Sequence, residues 1–136
     1  MATYDIDWLI ENRVIMHRYA STMDLEDMGE QLAIVNDMIN AADVNSPLVH
    51  VLMNTENLKE YPKQIAKVGR TAKALLDNPR LGWVISYGRD DRMIKFVTSA
   101  IGTMFKTRFR VFSTEQEAFE FLNSVDEMLP DLKSEE

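Results

Sequence analysis

The sequence predicts an α/β domain: a mixed five-stranded sheet with four helices, in the order ββαβαβαβα. Three observations carry the expectation. Near its start the chain carries an alternating run, Tyr4 to Ile10. Apolar stripes at three- and four-residue spacing then recur, separated by short β-branched runs. Each junction carries a turn or cap signal. At 136 residues the chain is long enough to bury a core without staples. Residues 1–130 are expected to form one domain and residues 131–136 a polar tail, frayed from Pro130 onward.

In the first run Tyr4, Ile6, Trp8 and Ile10 alternate with Asp5, Asp7 and Leu9. A period of two is that of a half-buried strand. Glu11-Asn12 fits a tight turn, because asparagine tolerates positive φ. Arg13 to Tyr19 is the returning strand. Ser21 or Thr22 is the expected N-cap of a helix whose first turn carries Asp24, Glu26 and Asp27, where the helix dipole favours anions. Leu25, Met28, Leu32, Val35, Ile39 and Ala42 form its apolar stripe. Asn45-Ser46-Pro47 ends that segment.

Leu48 to Met53 is nearly all apolar, as a strand covered on both faces must be, and this favours parallel pairing. A second helix is expected from Lys59 or Pro62 to Leu76, with Ile65, Val68, Ala72, Leu75 and Leu76 inward. Gly82 to Tyr87 is the fourth strand. Asp90 or Asp91 is expected to cap a third helix running to about Lys106. Phe109 to Phe112 is the last strand. Ser113 with Gln116 and Thr114 with Glu117 form two overlapping capping boxes ahead of a helix lined by Ala118, Phe121, Leu122, Val125 and Leu129. The predicted core is Trp8, Ile15, Leu32, Val35, Val49, Val51, Ile65, Val68, Val84, Val97, Ile101, Val111 and Leu122.

Composition narrows the chemistry. There is no cysteine, which excludes disulfides, thiol nucleophiles and thiolate metal sites. The only histidines are His17 and His50, each within a strand, and His50 lies in a continuous apolar run where a structural role is the expected one. No metal-ligand spacing occurs, so no metal site is expected. No Gly-x-Gly occurs, so no phosphate loop and no nucleotide cofactor is expected. No nucleophile–base pair emerges, and no catalytic residue is assigned. No apolar run approaches a membrane span of about 20 residues, and an acidic N-terminus lacks the form of a signal peptide. A cytoplasmic location follows, with no integral membrane association.

The net charge is −7, which disfavours nucleic acid as a partner. It is unevenly spread: residues 1–58 sum to −8, residues 59–110 to +8 and residues 111–136 to −7. Such a bipolar chain suits self-association or an anionic partner. Lys59, Lys63, Lys67 and Arg70 form a basic stripe on the second helix, facing away from its apolar side. The third helix carries apolar residues, among them Ile94 and Phe105, around close to half its circumference, which is wide enough for a pocket or a subunit contact besides the core.

The order of elements and their landmarks resemble the SpoIIAA-like family, of STAS/Sec14 type. The landmarks are Trp8 in the first strand, the helix after Ser21-Thr22, the buried strand Val49-His50-Val51-Leu52 and the ending Phe109-Arg110-Val111-Phe112-Ser113-Thr114-Glu115-Gln116-Glu117-Ala118 with Leu122. The match covers residues 4–129. The resemblance implies a compact sheet with helices mainly on one side. It implies a non-catalytic domain that binds a protein partner, such as the kinase partners of anti-sigma-factor antagonists, under control of a serine phosphorylation. That switch needs Asp-Ser-Ser-Gly at the start of the second helix. Here the stretch reads Glu60-Tyr61-Pro62-Lys63, so the serine is not carried over. A second branch of the resemblance implies a carrier or sensor of a small apolar, lipid-like ligand.

Ligands of parallel sheets gather beyond the carboxyl ends of the strands. The expected site is therefore Asn54, Thr55 and Glu56 after the third strand and Ser86, Tyr87 and Arg89 after the fourth. Tyr61 would close one side, and Ile94 and Phe105 would supply an apolar wall. The occupant is expected to be a protein partner, a second copy of the chain or a small apolar ligand.

Overall fold

The structure, a computed structural model, describes residues 3–45, 48–88, 95 and 108–132. Five strands, β1 (Asp5–Ile10), β2 (Val14–Arg18), β3 (Val49–Asn54), β4 (Leu81–Tyr87) and β5 (Phe109–Phe112), form one sheet in that spatial order. β1 and β2 pair antiparallel; every later pair is parallel. Asn12 makes the hairpin turn at φ 65°, a value that asparagine accepts at little cost. Among the described residues there are three helices, α1 (Leu25–Ala41), α2 (Ile65–Leu76) and α3 (Glu115–Val125). The helix expected from Asp90 or Asp91 to Lys106 lies outside the described residues.

Alternation along the strands divides the core in two. Ile15, Val49, Val51, Met53 and Val84 face α1 and α2, meeting Met28, Val35, Ile39, Val68, Ala72 and Leu75. Val14, Met16, Leu52, Ile85 and Tyr87 face α3, meeting Ala118, Phe119 and Leu122. β3 is buried along five of its six residues because both of its faces are covered. Of the predicted core, Ile15, Val35, Val49, Val51, Val68, Val84 and Leu122 are buried. Trp8, Leu32 and Val111 are half-buried against it. Val97 and Ile101 lie outside the described residues. Ile65, the first residue of α2, is instead 48% exposed.

The helix starts depart from the sequence reading. α1 is capped by Asp24, not Ser21 or Thr22, in a reciprocal box with Asp27. Ser21 and Thr22 are drawn into β-like contacts first: the Ser21 carbonyl accepts from the Lys59 and Glu60 amides, and Thr22 bridges Glu60. The same contacts hold residues 59–64 outside α2, so only Lys67 and Arg70 of the expected basic stripe sit on the helix. The Thr114–Glu117 box forms at α3 as expected. Val125, expected to face inward, is 39% exposed. The chain after α3 folds back: Asn123 donates to the Pro130 carbonyl at 2.9 Å and accepts from the Leu132 amide at 2.8 Å. Leu129 is buried against the α3 core.

Candidate functional site

Parallel register brings the carboxyl ends of β2, β3 and β4 to one edge. Arg18 pairs with Asn54 and Asn54 with Tyr87. Much of the polar equipment there is engaged with the fold. The Asn54 side chain accepts from the Glu56 amide at 3.0 Å, which shapes the loop as an Asx turn. The Thr55 hydroxyl is buried and donates to the Tyr87 carbonyl at 3.0 Å. A Cβ at Gly88 would lie 2.5 Å from that hydroxyl oxygen, so the close approach of the two loops requires glycine. Tyr87 is fully buried, and its hydroxyl donates to Glu115 Oε2 at 2.7 Å. Burial, then the Glu115 carboxylate, pushes this phenol well above its ordinary range.

Ser86 is buried beside Met53. Glu56 is exposed at the rim. Asn54, Thr55, Ser86 and Tyr87 are thus adjacent, with three of the four buried. Tyr61 stands apart in the loop before α2, with the Lys63 ammonium 5.7 Å from its ring centre. Arg89, Ile94 and Phe105 lie outside the described residues.

An open groove of about 950 Å³ lies beside this edge, between the N-terminus of α1 and residues 60–64. It exists because backbone bonds tie the two connections together: the Met23 amide donates to the Glu60 carbonyl at 2.8 Å. Met23, Leu25, Tyr61 and Pro62 give it an apolar lining. Asp24, Glu26, Asp27 and Glu60 place four carboxylates around them, against Lys63 as the cation. Such a groove can hold an apolar side chain and a neighbouring positive charge together. Sequence reading reached only Tyr61 of this set. The α1 half was missed because its acidic first turn already had an explanation in capping and the helix dipole.

Neither histidine stands at this edge as a free base. His50 Nδ1 accepts from the Trp83 amide at 2.9 Å, and its Nε2 meets Asp126 Oδ2 at 2.8 Å. The first contact leaves the proton on Nε2, which therefore donates to the carboxylate. Arg13 donates to the same oxygen at 2.8 Å. Burial lowers the His50 pKa, outweighing the pull of Asp126 in the other direction. Burial alone would raise the Asp126 carboxyl; His50, the Met128 amide and Arg13 together hold it below the usual range. The result is a clamp from the start of β3 to the end of α3. His17 is buried, stacked on Tyr19 at 3.9 Å and bonded through Nε2 to Gln31 at 2.8 Å. Burial lowers its pKa to about 4. Among the described residues no group of three or more histidines and carboxylates converges as a metal site would require, and no helix is long and apolar enough to cross a membrane.

No family model matches the sequence, and no curated protein is significantly similar to it. Solved structures do match. The anti-sigma factor antagonist SpoIIAA in its unphosphorylated form aligns over 93% of this chain and 99% of its own, with a TM-score of 0.57 and 14% identity. The phosphorylated form of SpoIIAA, described as a Bacillus cell fate determinant, aligns over 88% and 98%, with a TM-score of 0.52 and 14% identity. An uncharacterized DUF3478 protein with a SpoIIAA-like fold from Shewanella loihica aligns over 88% and 91%, with a TM-score of 0.59 and 13% identity. With the strand order, the parallel register and the helix placement described above, these likenesses identify the chain as a domain of SpoIIAA-like fold.

Proposed function

We propose that the chain is a non-catalytic, cytoplasmic interaction or regulatory domain of STAS-like type that binds a protein partner and self-associates. The observation that carries the reading is the open groove between α1 and residues 60–64. A wide mouth with mixed apolar and charged walls suits a segment of another protein, whereas a small-molecule carrier encloses most of its ligand. SpoIIAA, an anti-sigma factor antagonist of the same fold, supports a protein as the class of partner. In this reading Asn54, Glu56 and Tyr61 contact the partner, while Thr55, Ser86 and Tyr87 hold the two strand ends in place. The proposed site residues also include Arg89, Ile94 and Phe105. The domain works without the serine switch, since Glu60-Tyr61-Pro62-Lys63 has no serine.

Quantitative capture from native cytoplasm tests this, using the wild-type chain, Tyr61→Ala and Glu60→Lys. The expected result is one protein held at constant ratio by the wild type and reduced by at least about tenfold with either variant, as truncation of an aromatic anchor commonly does. Capture unchanged by both variants would overturn the groove as the site. An extractable apolar molecule at one per chain would overturn the protein-partner reading in favour of a carrier.

A further inference from the structure

The α1–α2 layer presents two ridges of opposite charge. On α1 the exposed Glu26, Glu30 and Asp37 fall, at about 100° per residue, within about 40° of arc. They lie opposite the buried Met28, Val35 and Ile39. On α2 the exposed Lys67 and Arg70 lie within about 60° of arc, far from the buried Val68, Ala72 and Leu75. The helices run side by side in one direction, since both connect parallel strands. Two contacts fix this. A Cβ at Gly29 would lie 3.7 Å from Thr71 Cγ2 near one end. At the other end Asn78 donates to Asn36 at 2.7 Å and to Asn40 at 3.0 Å. Among the described residues none of these five charged groups takes part in an ion pair. The acidic ridge and the basic ridge are neighbours, yet they do not satisfy one another.

Adjacent unpaired ridges of opposite sign are self-complementary under a two-fold rotation. If two copies meet face to face about an axis running along the helices, α1 of each lies over α2 of the other. An axis running across the helices would instead stack like charge on like. Ala74, exposed within the basic arc, and Ala33, exposed about 20° outside the acidic one, let helices approach to about 8 Å. Rotation about that axis keeps each residue at its own height, and the Gly29–Thr71 and Asn36–Asn78 contacts set Glu26 about level with Lys67 and Glu30 about level with Arg70. We infer that a second copy of this chain docks on the α1–α2 face, with Glu26 and Glu30 of each copy facing Lys67 and Arg70 of the other. The inference rests on the self-association part of the function proposed above and supplies its surface. It leaves the groove and its partner to a separate test, because Lys67 and Arg70 do not line the groove.

Sedimentation equilibrium on the full chain decides it. Between about 50 mM and about 500 mM salt the dissociation constant of the dimer should rise by at least about tenfold, as screening removes the ionic contribution. Lys67→Glu with Arg70→Glu should weaken association by about tenfold or more, and so should Glu26→Lys with Glu30→Lys. An equal mixture of the two double variants should recover the dimer as a mixed species, with thermal unfolding confirming that each is folded. A monomer at low salt would overturn both the inference and the self-association reading. A dimer indifferent to both variants would overturn this surface alone.

Discussion

His50 and Gly82 occupy one volume. A Cβ on Gly82 would collide with His50 Nδ1, the atom that accepts the Trp83 amide. Glycine is required there by the neighbouring ring and not by the backbone, which is why β4 carries so poor a strand former at its second residue. The sequence marks His50 as structural through the apolar run around it. Its partner Asp126 is 76 residues away, and no local period points to it. His17, His50 and Asp126 also make a joint prediction for pH. Each has a native pKa below its ordinary value, so in acid the native state binds fewer protons than the unfolded chain. Their stabilisation is complete above the unfolded values and is lost as pH falls through the native ones. Urea denaturation should therefore show stability falling from about pH 6.5 downward. His17→Gln should make that slope shallower between about 6.5 and the His17 value of about 4, leaving the His50 contribution. An unchanged slope would show that His17 is not held neutral in the native state.

The two helix starts that carry capping boxes differ in how far they could be read. At α3, Ser113 and Thr114 offered overlapping boxes, and the chain uses Thr114 with Glu117. At α1 the hydroxyls of Ser21 and Thr22 have the form of caps, but their backbone is engaged by Lys59 and Glu60 from a loop 38–39 residues later. A non-local pairing of this kind overrides local preference and moves the cap to Asp24. Thr114→Ala should cost about 1 kcal/mol, within the usual range for loss of an N-cap. Ser113→Ala, at an exposed residue outside the box, should change stability by less than about 0.5 kcal/mol. Equal losses in chemical denaturation would contradict this assignment of the cap.

Across the molecule, the parts legible in sequence are those governed by short periods. The alternation of β1, the apolar run of β3 and the stripe of α1 fixed the element order and the parallel half of the sheet. That topology brings the strand-end residues Asn54, Thr55, Ser86 and Tyr87 together. Their engagement was not legible, because it depends on Glu115, on the Tyr87 carbonyl and on the close passage at Gly88. The groove was less legible still: it arises where two connections, each unremarkable alone, are tied together by main-chain bonds. Loops of this kind at the carboxyl ends of strands are where a rigid sheet presents variable chemistry.

The central claim, that this groove receives a protein segment, is tested most directly by amide hydrogen exchange on the chain alone and with its captured partner bound. The account predicts slowed exchange in Ser21–Asp27 and Lys59–Gln64, the two connections that build the groove, with α3 unchanged. Slowed exchange elsewhere, with both of those segments exchanging as in the free chain, would contradict it.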